Sequence, residues 1–231
     1  MATSGGQKGG GLLAGRMVEA QSTVVRRLGG DRAGTVGFGR FLANPTVKTA
    51  EIFAAAGAAA GARATGRDHV LAIQDTTHLS FPRHGGALGP GGDGKVPGLF
   101  LHPVIALDAA DGTALGLAAG RVWTRAAEKV TVRRKRALED RESARWIEAG
   151  EAAKTALAGA RRVTLIADRE SDIYAEWARL PAPGFDLITR ACQDRTLDGG
   201  QRLFAVAATW PEAGQRTIDL PARKDRPART A

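Results

Sequence analysis

The sequence predicts an α/β protein in which helices pack on a mixed β-sheet. Two short apolar runs, at 69–75 and 162–168, each end in an aspartate, and apolar runs of this length are typical of buried strands. Two longer apolar segments, at 99–107 and 114–123, are joined by Asp111-Gly112, a strong signal for a β-hairpin. A mixed sheet covered by helices accommodates both kinds of strand.

Helical segments fall between these strands. Apolar residues recur at helical spacing over 142–157, and a second helix, capped by Ser171, is predicted to contain Ile173 and Trp177. A further strand is predicted at 185–189. The resulting order of strand, hairpin, helix, strand, helix, strand resembles the ribonuclease H-like arrangement, whose catalytic acids sit on the first and fourth strands.

The first third of the chain differs from the rest in composition. Residues 1–66 are rich in glycine and contain eight Lys and Arg against three acids. We expect a basic N-terminal region of poorly defined structure, with one short helix that begins near Thr46 and ends near Ala62. Two interpretations stay open for this region, a DNA-binding arm and a poorly packed leader. The core is expected at 67–200, with a glycine-rich loop at 82–97 that is long enough to have a function.

Composition limits the class of protein. The 231 residues contain 33 Lys and Arg against 24 acids, a net charge of +9, which favours a polyanionic partner, with nucleic acid first and an anionic membrane surface second. A single cysteine, Cys192, excludes an internal disulfide framework and a cysteine-rich zinc site. The chain has no convincing secretion signal and no apolar run that approaches about 20 residues. We therefore expect a soluble, cytoplasmic protein.

The two aspartates that end the apolar runs are the strongest candidates for chemistry. Asp75 and Asp168 each stand where a buried strand reaches the edge of the sheet, and functional groups concentrate at such edges. Two carboxylates brought together there repel each other unless a cation lies between them, and Mg²⁺ suits a small set of carboxylate ligands. Paired ions would support displacement at a phosphodiester. The pattern leaves open the alternative that each aspartate only caps the turn that follows it.

Two segments carry a resemblance to a known family. The residues QDTTHLSF at 74–81 and DRESDIY at 168–174 resemble the two catalytic blocks of the insertion sequence 4 family of DDE transposases, in the branch that contains the transposon-five enzyme. Four shorter matches fall in the family's order, namely 40–45, His102, Trp123 and 142–146. The resemblance covers residues 38–231.

The resemblance implies cut-and-paste DNA transposition by a ribonuclease H-like core. Asp75 and Asp168 would be the first two members of the Asp-Asp-Glu triad that holds Mg²⁺ or Mn²⁺. In that chemistry a water hydrolyses a phosphodiester at the transposon end, and the freed 3′-hydroxyl then attacks DNA. The implied partner is double-stranded DNA, as transposon ends and target, and an intact member of the family is expected to be a homodimer. No further cofactor and no membrane are expected.

The sequence departs from the family in the third acid. That glutamate belongs to a Tyr-Arg-Glu-Lys signature, which is absent from the 231 residues, and residues 201–231 resemble the start of the inserted β-region that precedes it. Glu170 and Asp172 belong to the second block itself and do not match the third position. We therefore expect a C-terminally truncated transposase with an incomplete sheet, one uncovered apolar sheet face and no transposition activity.

Two other functions stay open. The chain could be a DNA-binding remnant that competes with an intact transposase, without catalysis. It could also be a free-standing ribonuclease H-like nuclease, which would require Glu170, Asp172 or another acid to face the two aspartates within reach of a metal.

Weaker signals concern DNA contacts. Thr76, Thr77, Arg169 and Arg190 stand at strand ends, where they could bind phosphate. The alternatives are that threonines suit a strand end and that the arginines pair with nearby acids. The basic residues at 129–136 could contact DNA backbone or form a solvated loop.

Apolar strands and helices also carry aromatic and histidine side chains. His102 is expected either as a core histidine or as a phosphate contact. Trp123, Trp146 and Trp177 are most simply explained by packing between sheet and helices.

Overall fold

A computed structural model describes residues 4–82, 88–92, 94–125 and 143–230. The chain divides into two compact units, 1–190 and 191–231, and each is treated by itself. The predicted loop at 82–97 is described only in part, and the basic cluster at 129–136 lies outside the described residues.

The larger unit contains six α-helices and seven strands among the described residues. The helices are α1 (Ser4–Ala20), α2 (Val25–Leu28), α3 (Arg32–Leu42), α4 (Thr49–Ala64), α5 (Ala144–Ala156) and α6 (Tyr174–Arg179). The strands are β1 (Val70–Gln74), β2 (Thr77–Ser80), β3 (Gly89–Pro90), β4 (Pro97–Asp108), β5 (Ala114–Trp123), β6 (Val163–Ala167) and β7 (Phe185–Thr189). A short 3-10 helix, Arg169–Ser171, follows β6.

The seven strands form one mixed sheet. Strand β4 pairs antiparallel with β5 on one side and with β1 on the other, and β6 and β7 continue beyond β1 as parallel neighbours. The short strands β2 and β3 pair with the first residues of β4. The predicted α/β mixed sheet is thereby confirmed.

The predicted hairpin is also confirmed, as β4 and β5. Its turn contains Gly112 with φ of 76°, a left-handed conformation that glycine adopts without a steric penalty.

One face of the sheet forms the core. Alternate residues of β1, β4 and β6 point to this face and pack against α5; the buried set includes Val70, Ala72, Val104, Ala106, Leu165, Ile147, Ala153 and Leu157. Helix α4 lies close to β5, since a Cβ at Gly57 would stand 2.6 Å from the carbonyl oxygen of Ala118. The small residues of the alanine-rich segment therefore permit a close helix-to-sheet approach.

The opposite face carries a row of isoleucines. Ile105, Ile73, Ile166 and Ile188 are directly paired across β4, β1, β6 and β7. Ile105 is 44% exposed, Ile73 37% and Ile188 58%, so the described residues leave this apolar row largely open to solvent. An exposed apolar row of this kind favours association.

Substitution of two of these isoleucines should make the protein less prone to aggregate. In the double variant Ile105→Thr, Ile188→Thr the strand preference is kept, and we expect less dye binding and light scattering with a loss of stability below about 1 kcal/mol. Ile147→Thr, at a core position that is 3% exposed, serves as the control and should cost about 2 kcal/mol or more. If the double variant and Ile147→Thr lost the same amount of stability, the isoleucine row would have to be covered in the folded protein.

The N-terminal region differs from the expectation. Instead of one short helix, residues 4–64 form four helices. The first three helices share a small cluster in which Leu13, Leu28 and Phe38 are 5%, 2% and 6% exposed. Asp31 caps α3 by accepting a hydrogen bond from the backbone N–H of Gly34 at 2.7 Å. The three apolar side chains are far apart in sequence, which is why no local pattern indicated the cluster.

The smaller unit is built around a short helix and a two-stranded ribbon. Its elements are α7 (Leu203–Ala207), β8 (Asp219–Leu220) and β9 (Arg229–Thr230). Asp194 accepts hydrogen bonds from the backbone N–H of Phe204 at 2.9 Å and from Nε of Arg202 at 3.1 Å. In the described part of the chain, no helix combines the length and the apolar character needed to cross a membrane.

Candidate metal centre

The strand register places the two predicted aspartates side by side. Strands β1 and β6 are parallel, with Ile73 paired to Ile166, and continuing that register by two residues pairs Asp75 with Asp168. Each aspartate directly follows its strand and is exposed. Because neighbouring strands lie about 4.8 Å apart, the two acids share one edge of the sheet.

Both carboxylates also support the local backbone. Oδ1 of Asp75 accepts a hydrogen bond from the N–H of Thr76, and Oδ1 of Asp168 accepts one from the N–H of Glu170, each at 2.7 Å. The capping role that the sequence left open is therefore present. A carboxylate has a second oxygen, so capping and metal binding are compatible.

A basic residue extends this pair along the sheet edge. The register of β6 and β7 pairs Ala167 with Thr189, which places Arg190 next to Asp168. Oγ1 of Thr189 donates a hydrogen bond to the carbonyl oxygen of Asp168 at 3.0 Å, and this holds the two strand ends together. Arg190 is exposed, so an anion bound at the aspartates would meet a positive charge beside them.

The other predicted DNA contacts divide into two groups. Thr77, the first residue of β2, and Arg169, in the 3-10 helix, are exposed near the two aspartates. Thr76 is different, because its hydroxyl is used inside the protein. It accepts a hydrogen bond from Nε of Arg145 at 2.9 Å and lies 2.8 Å from Nδ1 of His102.

Arg145 also determines the position of a nearby acid. Its Nη2 donates to Oε2 of Glu170 at 3.0 Å, and its guanidinium carbon lies 5.4 Å and 5.6 Å from the ring centroids of Trp123 and Trp146. The Arg145 side chain is only 11% exposed. The Glu170 carboxylate thus forms an ion pair with Arg145.

Few of the described side chains at this sheet edge could bind a metal ion. Within the described residues no cluster of three or more His, Cys, Asp and Glu side chains is arranged to hold a metal. Two carboxylates nevertheless fit Mg²⁺, which keeps several of its waters and binds proteins through one or two carboxylates together with substrate phosphate. Asp75 and Asp168 are the residues that would hold it.

A buried chain of polar groups lies directly behind the aspartates. Nε2 of His102 is 3.3 Å from Oε1 of Gln74, whose Nε2 donates to Oε1 of Glu176 at 2.9 Å. Oγ of Ser171 donates to Oε2 of the same glutamate at 2.7 Å. All four side chains are at most 1% exposed. We expected Ser171 to cap the next helix, but its hydroxyl binds Glu176, and α6 has no side-chain cap.

Burial changes the acidity of two groups in this chain. The pKa of His102 is lowered to about 4, first by burial and then by the charges of Arg145 and Arg121. The pKa of Glu176 is raised to about 7 by burial, against the opposing effect of the hydrogen bonds from Ser171 and Gln74. At neutral pH His102 is therefore uncharged and carries a single ring proton.

Sequence reasoning missed Gln74 and Glu176, although a signal existed for both. Gln74 continues the alternation of Val70 and Ala72, which places it on the core face of β1. Glu176 lies three residues after Ile173 and one before Trp177, so helical spacing places it on the apolar side of α6. A polar residue at a core position predicts a hydrogen-bonding partner inside the protein.

The motif positions that carry the resemblance come together in space. His102 and Arg145 both contact the Thr76 hydroxyl, and the His102 and Trp146 rings meet edge-on with their centroids 4.6 Å apart. Glu142 lies outside the described residues. No model of a known protein family matches the chain.

Proposed function

We propose that this chain is a metal-dependent DNA-processing protein of the DDE transposase type, with Asp75 and Asp168 as the metal ligands. The observation that carries the proposal is the register of β1 and β6, which brings the two aspartates to the same point of one sheet edge. Arg190 beside them supplies positive charge for a phosphate.

The order of strands supports the finer assignment to a ribonuclease H-like core. The five main strands follow one another across the sheet as β5, β4, β1, β6 and β7, the first three antiparallel and the last two parallel to β1. In that arrangement the catalytic acids belong to the first and the fourth of these strands along the chain. Here those strands are β1 and β6, which precede Asp75 and Asp168.

The residues of the site then have distinct roles. Bound Mg²⁺ supplies activation of the attacking oxygen and neutralisation of the leaving oxygen. Asp75 and Asp168 hold the ion, and the hydrogen bonds to the backbone at each aspartate keep both carboxylates in place. Arg190 and Arg169 contact phosphate, which positions DNA without reading its sequence.

A second candidate function is a non-catalytic competitor that occupies DNA. What favours it is the combination of a net charge of +9 with an acid pair that no third carboxylate joins in the described residues. Under this second candidate we expect metal and DNA binding without strand cleavage.

Metal binding tests the site itself. We expect Mn²⁺ titrations followed by electron paramagnetic resonance to show an affinity that drops more than about tenfold in Asp75→Asn and in Asp168→Asn, because each variant removes one ligand charge. Both variants should still fold, since asparagine oxygen keeps the backbone hydrogen bond. Asp68→Asn, at the opposite end of β1, is the matched control and should bind like the native protein. Unchanged affinity in both site variants would exclude the proposed centre.

Activity on DNA separates the two candidate functions. The assay is binding and cleavage of a labelled duplex in Mn²⁺, with Asp168→Ala and Arg190→Ala beside the native chain. Cleavage that requires Asp168 supports the enzyme, whereas binding that weakens in Arg190→Ala without any cleavage supports the competitor. A protein that neither binds nor cleaves DNA would contradict both.

A further inference from the structure

We propose that Glu176 is a positioning residue for the metal centre. From inside the protein its carboxylate accepts hydrogen bonds from two separate segments, one carrying Asp75 and the other carrying Asp168. This inference rests on the proposed function, because the aspartates are metal ligands only under that proposal.

The first hydrogen bond controls the end of β1. Gln74 is the last residue of the strand and directly precedes Asp75. Its Nε2 donates to Oε1 of Glu176 at 2.9 Å, with both side chains fully or almost fully buried. A rotation of the Gln74 side chain would leave buried polar atoms unpaired, which is costly, so this bond restrains the backbone from which the Asp75 carboxylate projects.

The second hydrogen bond controls the turn after β6. Ser171 is the last residue of the 3-10 helix that Asp168 caps, and its N–H donates to the carbonyl oxygen of Asp168 at 3.2 Å. Its hydroxyl donates to Oε2 of Glu176 at 2.7 Å. One oxygen of the Glu176 carboxylate therefore holds the segment that carries Asp75, and the other oxygen holds the segment that carries Asp168.

The polar chain has one consistent direction. At one end Arg145 donates a hydrogen bond to Thr76. At the other end Glu176 accepts a hydrogen bond from Gln74. With His102 uncharged, its proton is assigned to Nε2, facing Oε1 of Gln74, and its Nδ1 accepts from the Thr76 hydroxyl. Every link thus donates toward Glu176. Gln74 and Thr76 are the neighbours of Asp75 in the sequence. Because both belong to the chain of polar groups, these hydrogen bonds restrain Asp75 from both sides.

The chemistry of position 176 suggests a matched pair of variants. In Glu176→Gln the amide oxygen can still accept from Gln74, and the amide nitrogen can donate to Oγ of Ser171. In Glu176→Leu neither bond can form, although the side chain has a similar size. Ser171→Ala removes only the second bond and serves if the leucine variant does not fold.

Mn²⁺ affinity of the full chain is the first readout. We expect Glu176→Leu to bind about tenfold to a hundredfold more weakly than the native protein, as is typical when groups that orient metal ligands are lost, and Glu176→Gln to restore the affinity to within about threefold. Leu157→Ala, a core substitution at the residue that directly follows α5, controls for general loss of stability. Native-like affinity in Glu176→Leu and Ser171→Ala, or an equal loss in Leu157→Ala, would overturn the inference.

The second readout needs no metal. Nitrogen-15 chemical shifts report which ring nitrogen of His102 carries the proton, and we expect Nε2–H in the native protein and in Glu176→Gln. In Glu176→Leu the Gln74 amide loses its fixed orientation, and the two tautomers should mix. Native protein that binds no Mn²⁺ would contradict the proposed function, whereas an unchanged tautomer in Glu176→Leu would contradict the positioning role of Glu176.

Discussion

The Glu176→Gln variant should gain stability relative to the native protein as the pH rises from 4.5 to 7. The pKa of Glu176 is about 7 in the folded protein against an ordinary value of 4.5. Between these values the folded state binds more protons than the unfolded state, so the native protein loses stability as the pH rises. Glutamine does not titrate, and the difference in the free energy of unfolding should change by on the order of 3 kcal/mol over this window.

The His102→Asn variant should show the opposite dependence. The pKa of His102 is about 4 in the folded protein against 6.5, so between these values the unfolded state binds more protons. The native protein then loses stability as the pH falls from 6.5 to 4, and the asparagine variant lacks this loss. The two contributions oppose each other in the native protein between pH 4.5 and 6.5.

Urea unfolding at pH 4.5, 5.5, 6.5 and 7.5 measures both dependences. All other titrating groups are common to the proteins, so differences between variants isolate the two side chains. In the double variant Glu176→Gln, His102→Asn, neither side chain should contribute to the pH dependence of stability. Stability differences that stay constant across this range would show that burial does not displace the two pKa values.

Replacement of Trp146 by alanine should be the most destabilising single change in the core. Trp146 is fully buried and is the largest such side chain in the described residues. We expect a loss of about 3–5 kcal/mol. Its ring also meets the His102 ring edge-on, and burial is the first cause of the lowered His102 pKa. Water admitted by the truncation should therefore raise that pKa toward its ordinary value.

Urea unfolding and a histidine NMR titration check these two effects. Trp146→Phe should cost less and keep the pKa low, because it leaves an aromatic ring against His102. Trp210→Ala, at a position 62% exposed in the smaller unit, should have little effect. The interpretation fails if Trp146→Ala costs no more than Trp210→Ala, or if the His102 pKa does not move in a protein that still folds.

The strands of the sheet and the two acids could be predicted from local sequence. The hairpin followed from Asp111-Gly112 between two apolar segments, and the strand at Phe185–Thr189 has the predicted bounds. Asp75 and Asp168 stood out because each ends an apolar run, and a carboxylate after a buried strand emerges at a sheet edge. Their pairing, however, depended on β1 and β6 being neighbours, which no local pattern specifies.

The N-terminal helices and the smaller unit lacked a comparable local signal. The cluster of Leu13, Leu28 and Phe38 uses single apolar residues on three helices, too sparse for a clear apolar stripe. Helix α4 was predicted in part, because its alanine-rich segment has a high intrinsic helix propensity. Its contact with β5 depends on Gly57 lying against the Ala118 carbonyl.

By itself the sequence determined the hairpin, the strands of the core, the helices between them and the two acids at strand ends, because spacings of two to four residues and turn residues encode these features. Only the tertiary structure decided the polar chain behind the acids. Gln74 and Glu176 are 102 positions apart, and Arg145 and Thr76 are 69 apart. Such partners are selected by the cost of burying a polar group without a hydrogen bond, and that cost arises only when the folded chain excludes water.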